Sequence, residues 1–290
     1  MKRTNVLAVS ELKRQGFAVL KKKLSKKKCS YLKKIIRKFN EKIVAKRNPV
    51  EFNYNIYCLN KDFLKLAFDK DLNEIAKEFF IYKKDKKIKN KNLDYHLNYM
   101  HHRCLNKPTP PQKLHIDGKI PGANPEISLH FIIYLDDVDK HNGPTAYVPK
   151  SHLIKELPNK KNNTKAKLIF GEQGTITAFS GSTWHGSTKK TNNKPRSIIL
   201  IKFARWFIAQ NFAVPYLIPK KIAKLLNDKE KRILGFYNYP VINRTKVDKK
   251  DRKNLFYKKN SILVTGNAKK VNQISRNLYR KKTQIYKFSP

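Results

Sequence analysis

The chain of 290 residues carries 65 Lys and Arg against 21 Asp and Glu, a formal charge of +44, and 40% of it is apolar. That apolar share, with 16 Phe and 14 Tyr, excludes wholesale disorder and suffices for a sizeable core. Charge of this sign first suggests a polyanion as partner, nucleic acid or an acidic membrane surface. Its distribution argues otherwise. There are 30 basic against 10 acidic residues before position 115, 14 against 7 from 115 to 206, and 21 against 4 after it. The excess therefore lies in the flanks, mixed with Asn and Ile as an AT-rich genome would supply it. Three cysteines (Cys29, Cys58, Cys104) lie far apart and form no CxxC pair, which excludes a zinc ribbon or disulfide framework and fits a reducing compartment. No apolar run approaches the roughly 18 residues of a membrane span. The opening MKRTNVLAVSELKRQGF is broken by polar residues too early for a secretory leader. The expectation is a soluble, cytoplasmic protein.

In chain order, residues 8–47 read as helix around a brief apolar strand at 16–20. Leu24, Leu32, Ile35, Ile36, Phe39 and Ile43 recur at helical spacing, with lysines opposite, and Ser25 is the expected N-cap. A second helix is predicted over 61–82, where Phe63, Leu64, Ala67, Phe68, Leu72, Ile75, Phe79 and Phe80 share a side. A charged loop, KKDKKIKNKNLD (83–94), ends this helical part. Strands follow in LDYHLNYMHHRCL, QKLHIDG, PEISLHFIIYLDDVD, NGPTAYVPKSH, GEQGTITAFSGSTWHGS and KPRSIILIKFARW. Short strands at this spacing point to a sandwich or barrel. Residues 217–236 return to helix, and a basic tail closes the chain. No internal repeat is visible.

The chemistry concentrates in the strands. In an extended segment positions i and i+2 share a face, so His115 and Asp117 of QKLHIDG are predicted to project together. Two histidines and one carboxylate on one face suit non-haem Fe(II) and leave positions open for co-substrate and oxygen. His185, in GSTWHGST, is the candidate third ligand. An HxD pair alone is common near turns. Arg196, eleven residues after His185, adds a guanidinium able to grip a distal carboxylate bidentately, and Ser187 could donate to that same carboxylate.

The run QKLHIDG…ISLHFIIYLDDVDKHNGPTAYVPKSH…GEQGTITAFSGSTWHGSTKKTNNKPRSIIL resembles the phytanoyl-CoA dioxygenase family of Fe(II)/2-oxoglutarate oxygenases. The likeness runs from about residue 10 to about 210, and its HxD, NGP…VPKSH and HGS…R elements together are specific. It implies an α+β chain with a mainly β core. That core would be a double-stranded β-helix (jelly-roll or cupin-like) with N-terminal helices packed on one sheet and a C-terminal helical segment. Residues 1–215 would form the oxygenase domain, its β core at about 95–207, with 216–290 a helical, basic extension of the same domain. It implies His115, Asp117 and His185 as iron ligands, Arg196 as the clamp on the 5-carboxylate of 2-oxoglutarate, Ser187 as its helper and Gln112 as a polar neighbour of the co-substrate. It further implies O2 as oxidant, with succinate and CO2 as by-products of hydroxylation. Relatives that halogenate have a small residue where Asp117 stands, so this carboxylate favours hydroxylation. A small organic substrate is expected, and the basic surround favours an anionic one.

Other residues have simpler readings. His130 shares a face with Ser128, Ile132 and Tyr134 and reads as a structural histidine rather than a cavity-lining one. Asp136 and Asp137 read as turn caps, His152 as a hydrogen-bonding structural residue, and Trp184 as core or pocket wall. His96, His101 and His102 cluster without a carboxylate at ligand spacing. The rival reading is a basic nucleic-acid-binding module, or an oxygenase acting on a polyanion. Its salt dependence would be steep.

Overall fold

A computed structural model describes residues 1–43, 50–81, 95–118, 120–159 and 166–236. The predicted charged loop at 83–94 and the basic tail after 236 lie outside the described residues. The chain begins with α1 (Arg3–Gln15), then β1 (Phe17–Lys23) and α2 (Lys26–Ile43). The helix before β1 was only half anticipated. Its buried positions, Asn5, Ala8, Val9 and Leu12, repeat at helical spacing, and Gly16 stops it in a left-handed cap whose N–H bonds Leu12 O.

After β2 (Val50–Asn53) come α3 (Lys61–Ala67) and α4 (Lys70–Phe80). The sequence predicts one helix here, but Asp69 interrupts it. Its carboxylate accepts the amides of Asp71 and Leu72 and so begins a new helix. Strands β3 (Tyr95–Leu105), β4 (Gln112–His115), β5 (Ser128–Tyr134), β6 (Thr145–Tyr147), β7 (Lys167–Ile169), β8 (Thr175–Ser180), β9 (His185–Ser187) and β10 (Arg196–Arg205) follow. The helical segment expected over 217–236 is three short helices, α5 (Val214–Leu217), α6 (Lys220–Ala223) and α7 (Asp228–Ile233). Pro219, which lacks an amide hydrogen, separates the first two.

The strands form two antiparallel ladders. The larger runs β1-β8-β5-β10-β3-β2 and the smaller β4-β9-β6-β7. The outer face of the larger sheet carries the helices. Leu129, Phe131 and Ile133 of β5 and Ile199, Ile201 and Phe203 of β10 join Leu12, Leu32, Ile36, Leu72, Ile75 and Phe80 in one core. Each such side chain contributes about 1.5–3 kcal/mol on burial. Ile218, Ile233, Leu234 and Phe236 of the C-terminal segment belong to the same core. The inner face turns to the smaller sheet. Phe17 stacks on Tyr147 at 5.1 Å, and Ile132, Tyr134, Phe179 and Ile198 fill the space between. With both faces covered, β5 is buried at all seven positions, which explains its nearly unbroken apolar run. Among the described residues, no helix is long and apolar enough to cross a membrane.

Candidate metal and co-substrate site

Strand β4 pairs with β9 so that His115 stands directly opposite His185, and Gln112 opposite Ser187. Three residues of β4 thus span the same distance as two of β9, a bulge that turns both Gln112 and His115 toward one face. Gly186 makes the pairing close enough, because a Cβ there would lie 2.5 Å from Gln112 O. The two imidazole centroids are 4.3 Å apart. The expectation that His115 and Asp117 share one strand needs correction, since β4 ends at His115. Asp117 lies in the bend beyond it, anchored by its own N–H to Gly181 O at 3.1 Å. The bend still returns the carboxylate to the histidines.

Each ring is fixed from behind. His115 Nδ1 donates to Lys113 O at 3.0 Å, and His185 Nδ1 donates to Thr183 O at 2.9 Å. Both Nε2 lone pairs therefore point forward, that of His115 also meeting Gln112 Nε2 at 3.5 Å. They lie 3.5 and 3.7 Å from the same oxygen, Asp117 Oδ1, and the three ligand atoms fall within 4.8 Å of one another. Cis positions around a metal with bonds of about 2.1 Å are separated by about 3 Å, so the donor set fits a divalent ion with small adjustments. Among the described residues this is the one group of three or more such side chains close enough to share an ion.

The second carboxylate oxygen has its own partner. His130 Nδ1 lies 3.1 Å from Asp117 Oδ2, so this nitrogen carries the hydrogen. Its Nε2 faces Ser128 Oγ at 3.3 Å. Burial pushes His130 down to about 3, keeping it neutral. Burial alone would raise Asp117, but His130, His115 and His185 outweigh it and hold the carboxyl well below its usual range. His130, read from sequence as structural, thus orients the ligand carboxylate. Its parity with Ser128, Ile132 and Tyr134 placed it on the inner face, but only the fold brings the Asp117 bend above it.

Arg196 opens β10 on the same inner face and is 2% exposed. Its Nη2 donates to Thr145 Oγ1 at 3.0 Å, and Thr145 stands opposite Ser187, two residues from His185. Burial lowers the guanidinium to about 10, so it stays charged at neutral pH. Among the described residues, Arg196 Nε and the hydroxyls of Tyr147, Thr177 and Thr188 are buried without hydrogen-bond partners. Orphaned donors around a buried cation are what a carboxylate ligand would satisfy. Arg196 and Ser187 thus share Thr145 as a neighbour, the first by a hydrogen bond and the second across the β6–β9 ladder. Gln112 sits at the rim instead, exposed, with Oε1 accepting from Arg103 Nη1 at 3.1 Å. Thr145 and Tyr147 were missed in the sequence because NGPTAYVP reads simply as a turn and a strand.

The remaining expectations concern support. Asp136 accepts from Ser197 N at 2.9 Å and pairs with Lys33, while Asp137 accepts from Gln173 N at 2.7 Å. His152 bonds Lys13 O at 3.2 Å. Trp184 is 2% exposed and packs with Ile116 and Val148. His102 is spent on Ser197 Oγ and Asn53.

Solved structures share the fold at low identity. HygX from Streptomyces hygroscopicus, with nickel and 2-oxoglutarate bound, superposes at TM-score 0.58 and 13% identity, covering 72% of this chain and 89% of that one. EctD from S. alaskensis superposes at 0.56 and 14%, covering 71% and 79%. Among curated proteins, Dioxygenase FUM3 of Gibberella moniliformis is 27% identical over 135 residues, 43% of this chain and 44% of that protein. Dioxygenase ALT11 of Alternaria alternata is 28% identical over 141 residues, 45% and 46% respectively. The chain thus spans about half the length of the curated relatives it matches. The family model of phytanoyl-CoA dioxygenase (PhyH) matches residues 12–198, most of the described core, and the chain belongs to that family.

Proposed function

We propose that this chain is an Fe(II)- and 2-oxoglutarate-dependent dioxygenase that hydroxylates an unactivated C–H bond of a small organic substrate, releasing succinate and CO2. The observation that carries the reading is the pair of imidazoles tied by Nδ1 to their own backbone and aimed by Nε2 at one oxygen of Asp117. Family membership supports it. His115, Asp117 and His185 would hold the iron, three ligands that leave positions open. Arg196 would take the distal carboxylate of 2-oxoglutarate through its unpaired Nε, with Ser187 and the Tyr147 hydroxyl beside it; Gln112 would guard the rim. When bound, iron and 2-oxoglutarate together supply the oxidising power for C–H cleavage. The protein's own contribution is orientation. Backbone carbonyls set both ring tautomers, His130 sets the carboxylate, and the apolar walls from Ile132, Phe179 and Ile198 keep water from the space between the sheets.

On the same reading the two sheets are the halves of a double-stranded β-helix, and the segment after residue 215 is an extension of that one domain. A cytoplasmic setting agrees with three unpaired thiols, Cys29, Cys58 and Cys104. The test is anaerobic addition of Fe(II) and 2-oxoglutarate, followed by the visible charge-transfer absorption of the chelate and by succinate release in air. Arg196→Met should weaken 2-oxoglutarate roughly 100-fold, from the loss of charge-assisted bonds, while leaving metal affinity in place. An absorption that survives His185→Ala would refute the ligand set.

A further inference from the structure

An ammonium removed from water must find a counter-charge, because desolvation costs it far more than it costs an apolar group. Lys202 is 8% exposed within RSIILIKFAR of β10, and no described residue forms a hydrogen bond or ion pair with it. Its register partners are Tyr99 on β3 and His130 on β5. The ammonium lies 5.5 Å from the Tyr99 ring centroid. It therefore stands on the inner face, beside the His130–Asp117 pair. Asp117 acts on it through space, but both oxygens of that carboxylate already face histidines. Burial lowers the lysine, and Asp117 opposes that shift.

An aromatic surface leads outward from this point. Tyr99 stacks on His101 at 4.2 Å and 6°. Tyr54 and Phe212 meet His101 edge-on at 4.9 and 5.5 Å, and Tyr54 is 61% exposed. The other inner-face cation of β3, Arg103, is bonded to Gln112. It faces Ile198, two residues from Arg196, and so belongs to the co-substrate end.

Resting on the oxygenase reading above, we infer that Lys202 anchors the carboxylate of an organic-acid substrate whose planar body lies along Tyr99, His101 and Tyr54. A compact ammonium suits a single carboxylate, whereas a phosphate would call for several donors. The anchor stands six residues along β10 from Arg196, so substrate and 2-oxoglutarate carboxylates are held by separate cations.

The test uses the full chain loaded anaerobically with Fe(II) and 2-oxoglutarate. The probes are phenylacetate, 3-phenylpropionate and indole-3-acetate, each with its neutral amide, and binding is read by calorimetry and by the shift of the charge-transfer absorption. The carboxylates should bind roughly tenfold or more tightly than the amides, the value of one charge-assisted bond. Lys202→Met should abolish that preference with the absorption intact, Lys202→Gln should do the same, and Lys202→Arg should keep most of it. Wild-type protein that binds none of the three carboxylates, or binds them no better than the amides, overturns the inference. So does a preference that survives Lys202→Met, or a tenfold loss of 2-oxoglutarate affinity in that variant, which would assign the ammonium to the co-substrate. Failure of the wild type to form the absorbing chelate would instead refute the oxygenase reading itself.

Discussion

Replacing His130 with phenylalanine keeps a ring against Phe179, whose centroid lies 4.7 Å away, and deletes the N–H that faces Asp117 Oδ2 at 3.1 Å. A hydrogen bond to a charged acceptor contributes about 1.5–3 kcal/mol. The Asp117 side chain is only 23% exposed, so water restores little of it. Part of the lost order falls on the ligand oxygen, whose orientation the histidine fixes. Divalent metal affinity should therefore drop roughly 10–100-fold. Because burial keeps His130 neutral, with a pKa of about 3, the loss should be the same at pH 6 and pH 8. Competition with a chelator for Co(II), which resists oxidation during the assay, measures it, and calorimetric unfolding of the metal-free protein checks the fold. An affinity within twofold of wild type, with unfolding unchanged, would refute the reasoning and reduce His130 to a packing ring.

Two further outcomes follow from buried features. Burial, partly offset by the Ser180 hydroxyl and by Arg205, raises Glu126 to about 7. The folded state then holds a proton that the unfolded chain releases above about 4.5, so stability should fall as pH rises from about 4.5 to 7, by at most about 3 kcal/mol. Glu126→Gln should flatten that slope in denaturant titrations across pH, and an unchanged slope would exonerate this residue. At Gly186, alanine would push its Cβ to 2.5 Å from Gln112 O. It should cost about 1–3 kcal/mol and weaken Co(II) binding by separating β4 from β9, both read from chemical and metal titrations of one sample.

The candidate ligands were legible through residue types that are scarce in a lysine-rich background. His115, Asp117, His185 and Arg196 stood in turns and strands where little else was ionisable. Arg196 lies on the inner face because β10 keeps its alternation without interruption from residue 196 to Lys202. Lys202 carried the same signal, a lone charge six residues on in an apolar strand, and was passed over as one more lysine. The helix break at Asp69 was missed because apolar spacing continues across it, while the cap is a local hydrogen bond. The role of His130 was illegible for a different reason. Its partner is thirteen residues earlier in the chain and reaches it only through a bend outside any strand. Thr145 likewise acquires meaning only when two separate ladders close on Arg196.

The bulge in β4 makes the site sensitive to residue count as well as identity. With an odd spacing of three, Gln112 and His115 share a face only because one extra residue is accommodated opposite Gly186. Removing Lys113 would restore an even spacing of two and keep Gln112 on the face of His115 without a bulge, whereas one added residue with the bulge retained would carry Gln112 to the opposite side. Insertions in the connection between β4 and β5 alter neither partner. Length changes within this protein are therefore not interchangeable: a single insertion inside QKLH would do to the pocket rim what a longer one after Gly122 would not.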